Sequence, residues 1–122
     1  MREKKKIFVA EDDSAILDVM QIILEDAGYD LLVTGEGEKI EEKIATYKPD
    51  LILLDIAMGQ AHGGRITKRL KSTSSTKQTP IIIISANRDT AKIAQEVGAN
   101  GFLAKPFDMD ELLTIVKKYI HA

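Results

Sequence analysis

Acidic side chains directly follow two short apolar runs of this sequence. Asp55 ends the stretch PDLILLD, and Glu11 and Asp12 follow the stretch IFVA. If the fold brings these carboxylates to about 4 Å from one another, each pair repels by roughly 4 kcal/mol at an effective dielectric constant of about 20. Such a cluster must take up a proton or bind a cation. A set of oxygen ligands suits magnesium better than zinc, so the residue types favour a magnesium site.

A hydroxyl and an ammonium group follow two further apolar runs. Ser85 ends the stretch PIIIIS, and Lys105 follows the stretch GFLA. Magnesium beside Asp55 would neutralise a phosphoryl group and let the carboxylate attack phosphorus, which gives an aspartyl phosphate. Ser85 can donate a hydrogen bond to a phosphoryl oxygen, and Lys105 can supply a positive charge. The four features together favour phosphoryl chemistry at Asp55.

Short apolar runs alternate with segments of helical period along the whole chain, which predicts alternating strands and helices. The predicted strands cover residues 7–10, 31–33, 51–54, 81–84 and 102–104. The predicted helices begin near Ser14, cover about 40–47, 65–71 and 91–97, and begin again after Asp108, where Glu111 completes a capping box. The glycine-bearing segment 56–64 is predicted to be a loop.

This alternation predicts an α/β fold, namely a doubly wound, open parallel sheet of five strands with five flanking helices. The order typical of a flavodoxin-like sheet, 2-1-3-4-5, places the first and third strands side by side. Ligands of such sheets bind at the carboxyl ends of the strands, where the candidate residues lie. A hairpin turn at Asn100–Gly101 is the alternative, and it is disfavoured because a helix is predicted before it.

Composition limits the remaining possibilities. A chain of 122 residues has room for one domain, which we expect to span residues 1–122. The 17 basic and 19 acidic side chains leave a net charge of −2, which does not favour binding to nucleic acid or membrane. Cysteine is absent, which excludes disulfides and thiol catalysis, and no apolar run approaches the ~18 residues of a membrane span. We therefore expect a cytoplasmic protein.

Each candidate residue also has an ordinary structural interpretation. The stretch EDDS could be only a helix start, capped by Asp12, Asp13 or Ser14. Asp55 could be a turn residue, Ser85 could bond the nearby backbone, and Lys105 could be a solvated lysine. Their joint occurrence at successive strand ends favours one shared site.

Two other classes of function use a similar sheet. A phosphatase of the haloacid dehalogenase group needs a second aspartate two residues after its nucleophile, and this chain has Ala57 there. A nucleotide or flavin binder needs a glycine- or serine-rich loop after the first strand. The acidic stretch EDD would instead repel a phosphate, so both classes are disfavoured.

The sequence resembles the receiver domain of two-component response regulators, of the stand-alone chemotaxis-regulator kind. The resemblance covers the whole chain, from KIFVAEDD through PDLILLD and PIIIISA to GANGFLAKPF. It implies that Asp55 accepts a phosphoryl group from a sensor histidine kinase or a histidine phosphotransfer protein. It also implies a magnesium site in which Asp12 and Asp55 bind the metal, Glu11 acts mainly through water, and Ala57 contributes its backbone carbonyl.

The resemblance further implies a switch and a docking face. Ser85 would move toward the phosphoryl group while Phe102 turns inward, and Lys105, preceding a cis bond to Pro106, would pair with the acids and then with the phosphate. Ala57 and Asn87 would tune the lifetime of the phosphoryl group. A protein target would bind the face of the fourth helix, fifth strand and last helix.

On this interpretation the chain is a regulatory domain that assists only its own phosphorylation and dephosphorylation, and it is not an enzyme. We expect a monomer or a weak, phosphorylation-dependent dimer, without direct contact to nucleic acid or membrane. A degenerate receiver that binds partners without phosphorylation is the alternative. The intact acids, together with Ser85 and Lys105, argue against it.

Overall fold

The computed structural model describes residues 4–58 and 61–120, and it contains one large and one small sheet. The strands are β1 (Lys6–Ala10), β2 (Asp30–Thr34), β3 (Leu51–Asp55), β4 (Ala57–Met58), β5 (Ala61–His62), β6 (Ile81–Ser85) and β7 (Gly101–Ala104). The helices are α1 (Ser14–Asp26), α2 (Ile40–Tyr47), α3 (Gly63–Ser72), α4 (Thr90–Val97) and α5 (Met109–Ile120).

The large sheet has five parallel strands in the order β2-β1-β3-β6-β7. Without the two short strands β4 and β5, this is the predicted order 2-1-3-4-5, so the doubly wound fold is confirmed. The hairpin at Asn100–Gly101 is not formed, because β7 pairs with β6 in parallel. The side chain of Asn100 instead accepts a hydrogen bond from the amide of Ile81, at 3.0 Å.

Both faces of the sheet are covered, which explains why its central strands are continuous apolar runs. Every residue of 51–54 in β3 and of 81–84 in β6 is fully buried. One face packs against α1 and α5, with contributions from Met20 and Val116. The other face packs against α2, α3 and α4, with contributions from Ile44 and Ile66.

Two helix starts are set by side-chain caps of the predicted kind. The carboxylate of Asp13 accepts hydrogen bonds from the amides of Ala15 and Ile16 at 3.0 and 3.1 Å, so Asp13 caps α1. Asp108 and Glu111 each accept a hydrogen bond from the other's amide, at 2.8 and 3.2 Å, which confirms the capping box before α5. Within the described residues, no helix is both long and apolar enough to cross a membrane.

The segment after β3 differs from its prediction as a loop. Strands β4 and β5 pair in antiparallel fashion, with Ala57 opposite His62 and Met58 opposite Ala61. Residues 59 and 60 of the predicted loop lie outside the described residues. Helix α3 begins at Gly63, earlier than the predicted residue 65, because the chain turns from β5 directly into the helix. Strands β4 and β5 have only two residues each, so the alternation of side chains that marks a strand cannot be recognised in the sequence.

Candidate functional site

Three carboxylates meet at the carboxyl edge of the sheet. Glu11 follows β1 and Asp55 ends β3, and these two strands are neighbours. Glu11 is fully buried, Asp55 is 2% exposed, and Asp12 is exposed. Each of the three offers an oxygen that lies within 4.8 Å of the others. The convergence of acids predicted from the strand ends is therefore present in the fold.

The backbone around β1 explains how Glu11 and Asp12 reach this edge. The amide of Glu11 donates to the carbonyl of Thr34 at 3.1 Å, which extends the pairing of β1 with β2 past the last strand residue. Glu11 also accepts a hydrogen bond from the amide of Asp13, at 3.1 Å. Asp13, rather than Asp12 or Ser14, caps the helix. The stretch EDDS is thus both a helix start and part of the acidic cluster.

Lys105 supplies a positive charge to this cluster. Its ammonium nitrogen lies 2.7 Å from Oε1 of Glu11 and 3.4 Å from Oδ2 of Asp55. The side chain is only 17% exposed, so the interpretation as a solvated lysine is wrong. Oε1 of Glu11 is buried and, despite the short ionic contact, it has no hydrogen-bond partner. Lys105 therefore contacts two of the three carboxylates of the cluster.

Burial and like charge change the protonation of the two buried acids in opposite directions. Burial, and then the neighbouring Asp55 carboxylate, raise the pKa of Glu11 to about 7. Burial also acts to raise the pKa of Asp55, but Glu11, the amide of Ala57 and the Lys105 charge outweigh it, so the pKa of Asp55 is lowered. Of the two buried acids, Glu11 therefore takes up a proton more readily than Asp55 does.

The segment after Asp55 holds the carboxylate in place. Oδ1 of Asp55 accepts a hydrogen bond from the amide of Ala57 at 3.0 Å, as a turn-forming aspartate does. Between them, the amide of Ile56 donates to the carbonyl of Ile84 at 2.9 Å. Asp55 is therefore a turn residue, as its structural interpretation predicts. This role leaves Oδ2 free to face Lys105, so Asp55 can also belong to the acidic cluster.

Ser85 and Asn87 lie at the end of the next strand. Ser85 is 3% exposed, and its hydroxyl oxygen accepts a hydrogen bond from the amide of Asn87 at 2.9 Å. Its carbonyl accepts from the amide of Lys105 at 2.8 Å, which ties β6 to the chain after β7. The local backbone bond expected of an ordinary serine is thus formed. Asn87 is exposed, and its side-chain oxygen accepts from the amide of Asp89 at 2.8 Å.

Phe102 does not join the acidic cluster. It lies in β7 opposite Ile83, and 42% of it is exposed. The ring belongs to the surface between α4 and α5, beside Ala99 and Tyr119. The bond between Lys105 and Pro106 is cis, as the resemblance implies.

The donor set fits a magnesium ion. All candidate side-chain ligands are carboxylate oxygens, which are the hard ligands that this metal prefers. The buried Oε1 of Glu11 lacks a hydrogen-bond partner, and one lysine does not balance three carboxylates. A cation in the cluster would relieve both conditions.

Gly63 is a residue of this region that the sequence analysis missed. A Cβ atom on Gly63 would lie 2.6 Å from the carbonyl oxygen of Asp55 and 2.7 Å from Cα of Ile56. Backbone packs so closely here that only glycine fits. The adjacent glycines Gly63 and Gly64 can be seen in the sequence, but glycines are common before a helix. The sequence does not show which backbone atoms they contact.

Comparisons with known proteins agree with the fold. The family model described as the response regulator receiver domain matches residues 7–117. The transcriptional regulatory protein CrdR of Helicobacter pylori is 33% identical over 97% of this chain and 56% of its own length. The chain spans about half the length of the curated relatives it matches.

Solved structures of receiver domains superpose closely on the chain. A response regulator from Chloroflexus aurantiacus has a TM-score of 0.91 at 28% identity, with 98% of this chain and 100% of that chain covered. The chemotaxis protein CheY4 of Vibrio cholerae has a TM-score of 0.87 at 26% identity, with 96% and 99% covered. The chain therefore belongs to the receiver domain family of two-component response regulators, whose standard function is to accept a phosphoryl group from a histidine kinase.

Proposed function

We propose that Asp55 is the residue that accepts the phosphoryl group. The observation that supports this most directly is the position of a buried carboxylate beside an ammonium group. Asp55 is 2% exposed, its pKa is lowered, and Oδ2 lies 3.4 Å from the nitrogen of Lys105. A carboxylate that stays ionised while buried is available as a nucleophile. Burial raises the pKa of Glu11 to about 7, which makes Glu11 the weaker candidate for this role.

Magnesium is the proposed cofactor. Asp12 and Asp55 would bind it directly, Glu11 would act mainly through water, and the backbone carbonyl of Ala57 would complete the protein ligands. When bound, the ion neutralises charge on the phosphoryl oxygens and on the acids. Asp12 is the exposed member of the cluster, so it can bind the ion without losing an existing hydrogen bond of its carboxylate among the described residues.

The transfer itself needs little from the protein beyond position and charge. An oxygen of Asp55 forms a bond to phosphorus while the bond from phosphorus to the donor histidine nitrogen breaks, and that nitrogen keeps the electron pair. Lys105, already between Glu11 and Asp55, is placed to pair with an oxygen of the new aspartyl phosphate. The ammonium group thereby exchanges one anionic partner for another.

Ser85 and Phe102 are the proposed switch. The Ser85 hydroxyl would leave its bond with the amide of Asn87 and donate to a phosphoryl oxygen. Phe102 is 42% exposed here, which suits the orientation expected before phosphorylation. Ala57 and Asn87 flank the reaction site and would tune the lifetime of the phosphoryl group.

The proposed partners follow from these roles. A sensor histidine kinase or a histidine phosphotransfer protein would donate the phosphoryl group. A protein target would read the face formed by α4, β7 and α5, where Phe102 lies. We propose that residues 1–122 act as one regulatory receiver domain that assists only its own phosphorylation and dephosphorylation.

Intact-mass measurement tests the acceptor. The wild type, incubated with magnesium and acetyl phosphate, is expected to gain one phosphoryl group, and Asp55→Asn is expected to gain none. Asp50→Asn is the matched control, because Asp50 is an exposed acid at the opposite end of the same strand. It should be phosphorylated as the wild type is, and removing magnesium should abolish the adduct in both.

An adduct on Asp55→Asn would move the acceptor to another residue. No adduct on the wild type, under conditions that trap a quickly hydrolysed one, would instead support a degenerate receiver that binds partners without phosphorylation.

A further inference from the structure

Gly63 lies against the backbone that carries the acceptor. It is the first residue of α3, and a Cβ atom there would meet the Asp55 carbonyl oxygen at 2.6 Å and Ile56 Cα at 2.7 Å. Both contacts are with backbone atoms, which cannot rotate away as side-chain atoms can. Gly64 differs, since its Cβ atom would first meet Cγ1 of Val97 at 3.2 Å.

The contact of Gly63 with residues 55 and 56 lies next to the antiparallel pairing of β4 with β5. The amide of Gly63 donates to the carbonyl of Ile56 at 3.1 Å, and Ala57 then lies opposite His62. Directly opposed pairs in an antiparallel ladder alternate between hydrogen-bonded and non-hydrogen-bonded. The bond from the Gly63 amide to the Ile56 carbonyl flanks the pair of Ala57 and His62, as it does beside a non-hydrogen-bonded pair, while the amide of Ile56 donates to Ile84. The amide and carbonyl of Ala57 therefore point away from β5.

The contact made by the Ala57 amide agrees with this register. That amide donates to Oδ1 of Asp55 at 3.0 Å, so the free side of β4 faces the acidic cluster. Amide and carbonyl of one strand residue point to the same side of the strand. The Ala57 carbonyl is thus directed to the side of Asp55.

We propose that Gly63 is a positioning residue for the metal and for the acceptor. Its missing side chain lets β5 close on residues 55 and 56, and the resulting register directs the Ala57 carbonyl and amide toward the cluster. Met58 supports β4 from its other face, since its side chain is 1% exposed and packs among the apolar residues between the sheet and helices α2, α3 and α4. This inference rests on the proposed magnesium site.

The first test compares two adjacent glycines. Magnesium is titrated into the wild type, Gly63→Ala and Gly64→Ala, and binding is followed by the NMR shift of the Ala57 amide. Gly63→Ala is expected to weaken binding by about tenfold or more, a loss typical of residues that orient metal ligands. Its Ala57 amide should already be shifted before magnesium is added. Gly64→Ala should bind like the wild type.

A second pair of variants covers the case in which Gly63→Ala does not fold. Met58→Ala loosens the hairpin without a backbone clash, and Met20→Ala removes an equally buried methionine from α1. Both should lower the stability, but only Met58→Ala should weaken magnesium binding and shift the Ala57 amide. Met58→Leu should bind magnesium like the wild type, because leucine fills the space that alanine leaves empty.

The outcomes separate this inference from the function on which it rests. If the wild type does not bind magnesium, the proposed metal site is wrong. If the wild type binds magnesium and folded Gly63→Ala binds equally well, Gly63 does not position the site. If Met58→Ala and Met20→Ala weaken magnesium binding equally, the pairing of β4 with β5 has only a structural role.

Discussion

Charged side chains are arranged differently at the two ends of the parallel strands, which we call the amino edge and the carboxyl edge of the sheet. At the amino edge, the phenol of Tyr47 donates to Asp30 at 2.7 Å, and the amide of Lys6 donates to Asp50 at 2.8 Å. The ammonium group of Lys6 donates to the carbonyl of Tyr47 at 3.0 Å and lies 5.2 Å from the centre of its ring. Asp30 and Asp50 are exposed, and each has a local partner.

At the carboxyl edge, the charges are buried and do not balance. Glu11 and Asp55 are almost without exposure, Asp12 lies beside them, and Lys105 is the cation that contacts the two buried acids. Burying like charges close together destabilises the folded state. The exposed acids at the amino edge do not have this effect. This contrast supports the proposed binding site at the carboxyl edge, because an arrangement selected for stability alone would resemble the amino edge.

Lys105→Met should have the largest effect on stability. It leaves two buried carboxylates without their cation, and we expect a loss of roughly 2–4 kcal/mol in the free energy of unfolding at pH 8 without magnesium. Urea denaturation measures it. The loss should shrink at pH 5, where Glu11 is protonated, since its pKa is about 7. A loss independent of pH would mean that Lys105 contributes by packing and not by charge.

Glu11→Gln should change stability in the opposite direction. The folded protein raises the pKa of Glu11 from 4.5 to about 7, so the folded state binds a proton that the unfolded state releases. Stability therefore falls as the pH rises from about 4.5 to about 7 and then levels. Glutamine stays neutral, so the variant should be more stable than the wild type by roughly 1–3 kcal/mol above pH 7.

Parallel urea titrations of the wild type and Glu11→Gln without magnesium, from pH 4.5 to 8, measure this difference. The variant's curve should lack the decline, and the two proteins should have similar stability near pH 4.5. Asp50→Asn at the amino edge serves as the control and should keep the decline. If Glu11→Gln is less stable than the wild type at pH 8, the carboxylate is stabilised by Lys105 more than burial destabilises it.

The fold could be predicted from the sequence because its signals are redundant. Five apolar runs, separated by helical periods, leave few alternatives to a doubly wound parallel sheet. Helices with caps were located closely, as Ser14 and Asp108 show. The pairing of β4 with β5 was not predicted, because strands of two residues are too short to show a period of two and their pairing depends on the neighbouring backbone.

The site could be predicted as a set of residues but not as a geometry. The strand ends indicated that Glu11, Asp12, Asp55 and Lys105 would meet, and they do. Which of the two buried acids has its pKa raised depends on burial and on individual hydrogen bonds, and these cannot be read from the sequence. The role of Gly63 is missed for the same reason, since a close backbone approach appears only in three dimensions.

Tyr47→Phe, at the amino edge, should have the smallest effect. Phenylalanine keeps the ring beside the Lys6 ammonium and the backbone carbonyl that accepts from it, and loses only the hydrogen bond to Asp30. Because that bond is exposed, its loss should cost about 0.5–1 kcal/mol in urea denaturation. Magnesium affinity should not change. A change in metal binding would couple the two edges through β1 and β3, and the amino edge would then no longer be a purely structural counterpart of the site.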